Sequence, residues 1–488
     1  MMNLSLFPQF SGFLMAAHVL IVDSISANRI LLKVKLASAF AHVEQAASAG
    51  EALDLLHAET PDLLVLGGDL VDMPAIELCG LIKENPAFSH LPILLVHTDG
   101  TRADRIEALR AGADDAFEMS VSTDALLARI RSIMRVRNSY EELRLRERAG
   151  RIPGLAEAVK GFDSPAQVLI AALNAPEGDQ WTTHLKQMVP YGLRHQKVAE
   201  IMRDMSQFTA PDAIVISLQV ARPEEALRLL AEVRARAATR QAAVLVVLDE
   251  ANDTARINAL DLGANDVIVE GFDAEEAALR LDSMIARKRM TDRLRKRVED
   301  GLTAAVTDPL TGLFNRRYAI PHLSKMAQRA NSQRGDFAVM LADLDHFKGV
   351  NDQYGHAAGD IVLSEIARRM RRCLSQADLI ARMGGEEFLV VVQTSDAHSA
   401  AQVAQRLCDA VGSEPVYIRG RDIQIPVTIS IGVAMGSDML EAKGIAANSH
   451  CATSQDGLAS ALLDRADKAL YGAKAEGRNT VTLSVTAA

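Results

Sequence analysis

The stretch ARMGGEEFLVVV, residues 381–392, sets two glycines and two glutamates between apolar runs. Adjacent carboxylates repel and glycine weakens a strand, so the combination calls for a reason beyond folding. Gly384 and Gly385 suit the two-residue turn of a β-hairpin, because both tolerate positive φ. Such a turn puts Glu386 and Glu387 at the start of the next strand, on opposite faces of its pleat. A second acidic pair, Asp343 and Asp345, closes the apolar run Phe337–Ala342, which reads as a buried strand. If the two strands are neighbours, one glutamate meets Asp343 across the sheet, and a cation must sit between them. A few hard oxygen ligands beside a phosphate-bearing substrate suit Mg²⁺. Lys474 and Arg478, four apart, fall on one side of a helix end. Each feature alone has an ordinary explanation: a solvated hairpin tip, or cations near a helix C-terminus. Their joint occurrence carries the argument.

At 488 residues the chain should hold about three domains. Apolar residues are 49% and charged residues 24%, a globular mix. A net charge of −10 argues against a large nucleic-acid surface. Cys79, Cys373, Cys408 and Cys451 lie far apart without metal-ligand spacing and read as reduced thiols of a cytoplasmic protein. LFPQFSGFLMAAHVLIV near the N-terminus lacks a basic lead and contains Pro8, Gln9 and His18. Its second half reads as a first strand, and its first half as a non-native start upstream of Met15 rather than a membrane anchor. No membrane insertion is expected.

An internal repeat organises the first 290 residues. HVLIVDS at 18–24 resembles QVLIAAL at 167–173, PDLLVL at 61–66 matches PDAIVI at 211–216, and RIEALRAGADD at 105–115 matches RINALDLGAND at 256–266. The offsets of 149, 150 and 151 mean two copies of one domain. Short Val/Ile/Leu runs alternate with helical patterns, the signature of a doubly wound parallel sheet. Strands are predicted near 18–23, 41–45, 62–66, 92–97 and 115–119, and again near 167–172, 196–201, 212–217, 243–248 and 266–270. Five strands per copy suit the flavodoxin-like order 2-1-3-4-5. Each copy resembles a response-regulator receiver domain. Leu294, Val298, Leu302 and Val306 then make an apolar stripe, read either as a surface helix or as a stalk that pairs with a second copy.

TDPLTGLFNRRY (307–318), DLDHFKGVNDQYGHAAGD (343–360), RMGGEEF (382–388), VTISIGVA (427–434) and RADKALYGAKAEGRN (465–479) follow in this order. Together they closely resemble the GGDEF family of diguanylate cyclases, in its Gly-Gly-Glu-Glu-Phe form. The fold class implied is α/β, two flavodoxin-like receiver domains followed by an α+β domain like that of nucleotidyl cyclases. The resemblance implies condensation of two GTP into cyclic di-GMP, with release of two pyrophosphates, by two domains facing each other in a homodimer. It implies Asp343, the Leu344 carbonyl and Glu386 as Mg²⁺ ligands, and Glu387 as an aid to the metal site or a proton acceptor. Asn351 and Asp360 match the guanine-recognition positions. Phe347 and Lys348 match the phosphate loop, and Lys474 and Arg478 the phosphate clamp. The domains expected are 17–140 and 164–288 (receiver-like, degenerate), a linker or stalk helix at 289–306, and the cyclase at 307–486.

Three departures stand out. The family's product-inhibition motif, Arg-x-x-Asp, is here Ser375-Gln376-Ala377-Asp378, without its arginine; Arg406 matches the secondary inhibitory arginine. Residues 435–460 are longer than the family's usual link. The receivers lack their phosphorylation chemistry. In the first copy Gly67 stands at the acceptor, Asp23-Ser24 at the acidic pair, His97 at the switch and Met119 for the lysine, with Asp69 as a shifted acidic candidate. In the second these are Ser217, Ala172-Leu173, Leu248 and Glu270. No aspartyl phosphorylation is expected, and the copies are read as docking and dimerisation modules, open to a signalling partner. The competing reading of the chain is a degenerate cyclase domain serving as a nucleotide-binding scaffold. The complete set of motif residues favours the enzyme.

Overall fold

The computed structural model describes residues 15–484 apart from 69, 99, 151–164, 205–209, 333–335, 395, 419–422 and 438–454. The start upstream of Met15, Cys451 and most of the long 435–460 segment therefore lie outside the described residues. Two compact units, Met1–Val298 and Glu299–Ala488, divide the chain.

The first unit holds two sheets of the same topology. Strands β1 (Met15–Val22), β2 (Phe40–Ala46), β3 (Leu63–Gly67), β4 (Ile93–His97) and β5 (Asp115–Glu118) run parallel in the order β2-β1-β3-β4-β5. Strands β6 (Gln167–Ala172), β7 (Gly192–Lys197), β8 (Ala213–Leu218), β9 (Ala243–Leu248) and β10 (Asp266–Ile268) repeat it as β7-β6-β8-β9-β10. Helices cover both faces, so central strands such as Leu63–Leu66 and Ala243–Leu248 are buried on both sides and read as unbroken apolar runs. The strand expected at 196–201 lies earlier, at Gly192–Lys197, and Val198–Arg203 is a helix. An edge strand needs no apolar run, and GLRHQK has almost none; the apolar positions that suggested a strand belong to the helix.

Charge joins the two copies. Asp115 and Arg129 recur 151 residues later as Asp266 and Arg280. These four buried side chains form a closed ring of alternating sign: Arg129–Asp115 2.8 Å, Arg129–Asp266 2.9 Å, Arg280–Asp266 2.7 Å and Arg280–Asp115 2.8 Å. Arg280 also pairs with Glu276 at 2.8 Å, which Arg105 reaches from the first copy at 3.1 Å. Outside the ring, Arg102 pairs with Asp273 and Glu275, and Arg131 with Asp261. Burying single charges costs several kcal/mol each, and complete pairing is what makes such a contact tolerable.

The second unit has a six-stranded sheet of order β11-β13-β14-β12-β17-β18. Its strands are β11 (Phe314–Asn315), β12 (Phe337–Leu344), β13 (Leu379–Gly384), β14 (Glu387–Gln393), β17 (Ile429–Met435) and β18 (Val481–Leu483); β15 (Val416–Ile418) and β16 (Ile423–Ile425) form a separate ribbon. The four central strands are antiparallel, and the edge strands β11 and β18 pair in parallel. The helix Gln455–Ala475 lies so close over β17 that a Cβ on Gly432 would fall 2.1 Å from Leu470 N and 2.2 Å from Ala466 O. Only glycine permits that approach, which sets the helix's last turn beside the end of β12. Among the described residues no helix is long and apolar enough to cross a membrane.

Asp114 yields a prediction about this architecture. Burial alone would raise its pKa, but Arg287, Lys83 and the Ile93 N–H outweigh it and hold the group at about 2. A depressed carboxylate contributes stability above its ordinary range near pH 4, and loses it as pH falls towards 2. Asp114→Asn should cost about 3 kcal/mol at neutral pH and flatten the acid limb between those values. Urea unfolding of both proteins at pH 7 and pH 3 checks this; an equal stability gap at both pH values would contradict it.

Candidate active site

The site is built where β12 ends. In the antiparallel ladder Asp343 stands opposite Glu387 of β14 on one side and Ser430 of β17 on the other. Asp343 is buried, and its Oδ1 accepts from Lys474 Nζ at 2.8 Å. The hairpin β13–β14 confirms the neighbouring strands but shifts the expected turn by one residue. Gly384 pairs with Glu387, so the turn is Gly385–Glu386, with φ of 148° at Gly384 and 54° at Gly385. Glu386 therefore lies in the turn rather than in the strand. Its carbonyl accepts from the Leu344 N–H at 3.4 Å, so the turn sits directly over the end of β12.

Arg382 fixes this turn, a role the sequence reading missed. Its Nε and Nη2 donate to the Gly385 carbonyl at 2.9 and 2.8 Å, while Nη1 reaches Asp308 at 3.1 Å. Partial burial would raise the Asp308 pKa, but hydrogen bonds from Thr311 and the Arg382 charge hold it below the usual carboxylate range. Asp308 and Arg382 lie 74 residues apart, and nothing local in the sequence pairs them.

Asp345, two residues beyond Asp343, has a different fate. It is buried and accepts from Thr428 Oγ1 at 2.7 Å, Ser430 Oγ at 2.7 Å and the Asn479 N–H at 3.0 Å. With its lone pairs taken, it anchors structure. The residues it anchors include Arg478 and Asn479, left-handed at φ 68° and 48°. Arg478 is thus not on a helix, as its spacing from Lys474 implied. The helix ends at Ala475, Lys474 occupies its last turn, and exposed Arg478 follows in a loop pinned to β12 by Asp345.

His346, left-handed at φ 56°, starts the helix Phe347–Tyr354. Phe347 and Lys348, expected in a loop, are its first residues, whose N–H groups have no intrahelical acceptor. Phe347 is buried and Lys348 exposed. Asn351 lies against the next helix, His356–Arg372: a Cβ on Gly359 would come 2.0 Å from Asn351 Oδ1. Gly359 is a second missed residue, because it lets the amide lie against this helix, and exposed Asp360 is the next residue in the chain.

Away from this centre, the Asp378 carboxylate accepts from its own Ser375 N–H at 2.8 Å, and its carbonyl accepts from Arg371 at 3.2 Å. Arg406 is exposed on the helix Ala397–Gly412. Cys408 is buried, and burial pushes its thiol up to about 12. In the first unit, the acceptor position is filled from the side: a Cβ on Gly67 would lie 2.0 Å from Asp23 Oδ2. Asp23 accepts from Ile25 N at 2.7 Å and Asn28 Nδ2 at 3.1 Å. Lys35 Nζ donates to the Met119 carbonyl at 3.0 Å, and Ser217 Oγ donates to Glu177 at 2.8 Å. Asp69 lies outside the described residues.

Two family models match the chain. The diguanylate cyclase GGDEF domain matches residues 305–480, and the response regulator receiver domain matches residues 19–131. The response regulator PleD of Caulobacter vibrioides is 34% identical over 475 residues, covering 96% of this chain and 99% of its own length. Diguanylate cyclase A of Treponema denticola is 38% identical over 186 residues, 38% of this chain and 45% of that protein. A solved structure, the coiled coil and GGDEF domain of DgcB from Caulobacter crescentus in complex with c-di-GMP, is 28% identical, covers 39% of this chain and 92% of its own, and has a TM-score of 0.34. Similarity to PleD at this level over 96% of the chain, with the GGDEF model falling on the unit that carries Asp343 and the Gly385–Glu386 turn, places the chain in the family of GGDEF response regulators, as a diguanylate cyclase.

Proposed function

We propose that this cyclase works as a homodimer whose two GGDEF domains each present one GTP, with Mg²⁺ as the divalent cation, and that neither receiver-like copy is phosphorylated. The observation carrying the catalytic part is the convergence at one strand end: Asp343, Glu387 opposite it, the Glu386 turn tied to Leu344, and Lys474 on the Asp343 carboxylate. The donors available to a metal are oxygens alone: the carboxylates of Asp343 and Glu386 and the Leu344 carbonyl. That set fits Mg²⁺, which when bound would neutralise triphosphate charge. Lys474, already drawn to an anion there, and Arg478 hold the phosphates. The free N–H groups at Phe347 and Lys348 cradle them at a helix N-terminus. Asn351 and Asp360 read the guanine edge. Glu387, exposed at the strand start, takes the proton of the 3′-hydroxyl that attacks the α-phosphate of the GTP held by the partner domain.

The domain limits we assign are 17–140, 164–288 and 307–486, with 289–306 as the linker. That linker is continuous with the last helix of the second copy, as one helix Ala274–Val306 of 33 residues. For the receivers, the support is chemical. Asp23 occupies the space of an acceptor side chain at Gly67, and no lysine stands at Met119 or Glu270 to pair with a phosphoryl group. The copies then act as docking modules through which a signalling protein could reach the cyclase.

Three outcomes test this reading. Purified protein with GTP and Mg²⁺ should yield cyclic di-GMP and pyrophosphate, and Glu386→Ala should lower turnover by about 10²–10³ or more; near-normal synthesis by that variant would remove Glu386 from the metal site. Feedback by cyclic di-GMP should be weak and non-competitive, since a hydroxyl at Ser375 cannot replace a bidentate guanidinium. Ser375→Arg should tighten it, and tight inhibition of the unchanged protein that Asp378→Ala abolishes would refute the idea. Acetyl phosphate or beryllofluoride should alter neither oligomeric state nor rate. Activation that Asp69→Asn cancels would instead identify a working receiver.

A further inference from the structure

We infer that the first receiver-like copy carries a transition-metal site, formed by His18, His42 and Glu44 on strands β1 and β2. One potential ligand atom from each of the three lies within 4.8 Å of the others. His18 pairs with His42 and Leu20 with Glu44 in the parallel register, so the three side chains share one face in the middle of the β1–β2 pair. His18 Nε2 and Glu44 Oε2 stand 3.1 Å apart, and the His18 and His42 rings meet edge to face at 4.5 Å. Two ligands on one tetrahedral Zn²⁺, with bonds of about 2.0–2.1 Å, are separated by about 3.3 Å. The His18–Glu44 pair already has that spacing, and exposed His42 is free to rotate onto the same ion.

Three further observations favour a site over a chance cluster. His18 is largely buried, with its side chain 12% exposed, and its Nδ1 has no hydrogen-bond partner. Nothing at Nδ1 holds the ring, so Nε2, the nitrogen turned to Glu44, is the atom that would meet the ion. The His18 backbone is also fixed: its N–H donates to Asp62 Oδ2 at 2.8 Å and its carbonyl accepts from the Asp62 N–H at 2.7 Å. A register shift between Met15 and His18 puts an extra residue into β1 just before it, as a bulge does when it re-aims a side chain.

The second copy supplies an internal control. There the same register pairs Gln167 with Gly192 and Leu169 with Arg194, and Asp212 holds the Gln167 backbone as Asp62 holds that of His18. The fold thus accepts glutamine, glycine and arginine at these three positions. Two imidazoles and a carboxylate are a property of the first copy, not a demand of its sheet. Such an N₂O set, with a position left for water, suits Zn²⁺ or a neighbouring transition dication rather than Mg²⁺.

The test is titration of the metal-stripped full-length protein with Zn²⁺, in a large excess of Mg²⁺ to occupy oxygen-only sites. Co²⁺ absorption serves as the spectroscopic check. The wild type should bind one equivalent more tightly than any other, with a tetrahedral Co²⁺ spectrum. His42→Ala and Glu44→Gln, both at solvent-accessible positions, should weaken that equivalent about 100-fold or more while keeping the wild-type circular dichroism. Superposable isotherms for wild type and His42→Ala, or no tight equivalent in the wild type, would overturn the site.

Discussion

A buried carboxyl group at the end of the central strand organises the catalytic unit. Asp345 could not be buried there without donors, and it draws them from three places: two hydroxyls on or beside β17 and the backbone of Asn479. This one carboxylate thereby ties β12, β17 and the loop after the last helix to a common point. Asp343, two residues earlier, is left facing Lys474, and Arg478 is held one residue from the pinned amide. The division of labour between the two aspartates follows from their neighbours. One is saturated with hydrogen bonds, while the other keeps a cation as its partner.

The surrounding elements bring backbone closer than side chains would allow. Gly432 lets the helix bearing Lys474 approach β17, and Gly359 lets Asn351 settle against the helix His356–Arg372. Arg382 does the same work with charge, gripping the turn carbonyl from one side and Asp308 from the other. Precision at the strand end therefore depends on residues outside the carboxylate cluster itself. They set the distances over which charge must be compensated during phosphoryl transfer.

Much of this was legible in the sequence where the signal is local. Paired glycines before Phe388–Val392 announce a hairpin, and the apolar run before Asp343 announces its neighbour. Unbroken Val/Ile/Leu runs mark the parallel strands, and the repeat marks two copies. What escaped was whatever depends on partners distant in the chain. The turn slid by one residue because Arg382 and Leu344 both hold it, and neither bond is visible in the motif. Arg478 looked helical because spacing alone does not reveal an anchoring carboxylate 133 residues away at Asp345. The polar edge strand Gly192–Lys197 carries little apolar pattern, so the pattern points instead to the adjacent helix Val198–Arg203. The ion ring was invisible because each of its members finds its second partner in the other copy.

That ring has a consequence for how the two copies associate. In separate chains, a face of this kind would fill only when the protein is abundant enough for its copies to meet. Joined in one chain, the two faces sense a local concentration fixed by the connecting segment, which dilution cannot lower. The contact is then complete at any expression level, always one copy to one. Protein abundance can be read only at some other surface.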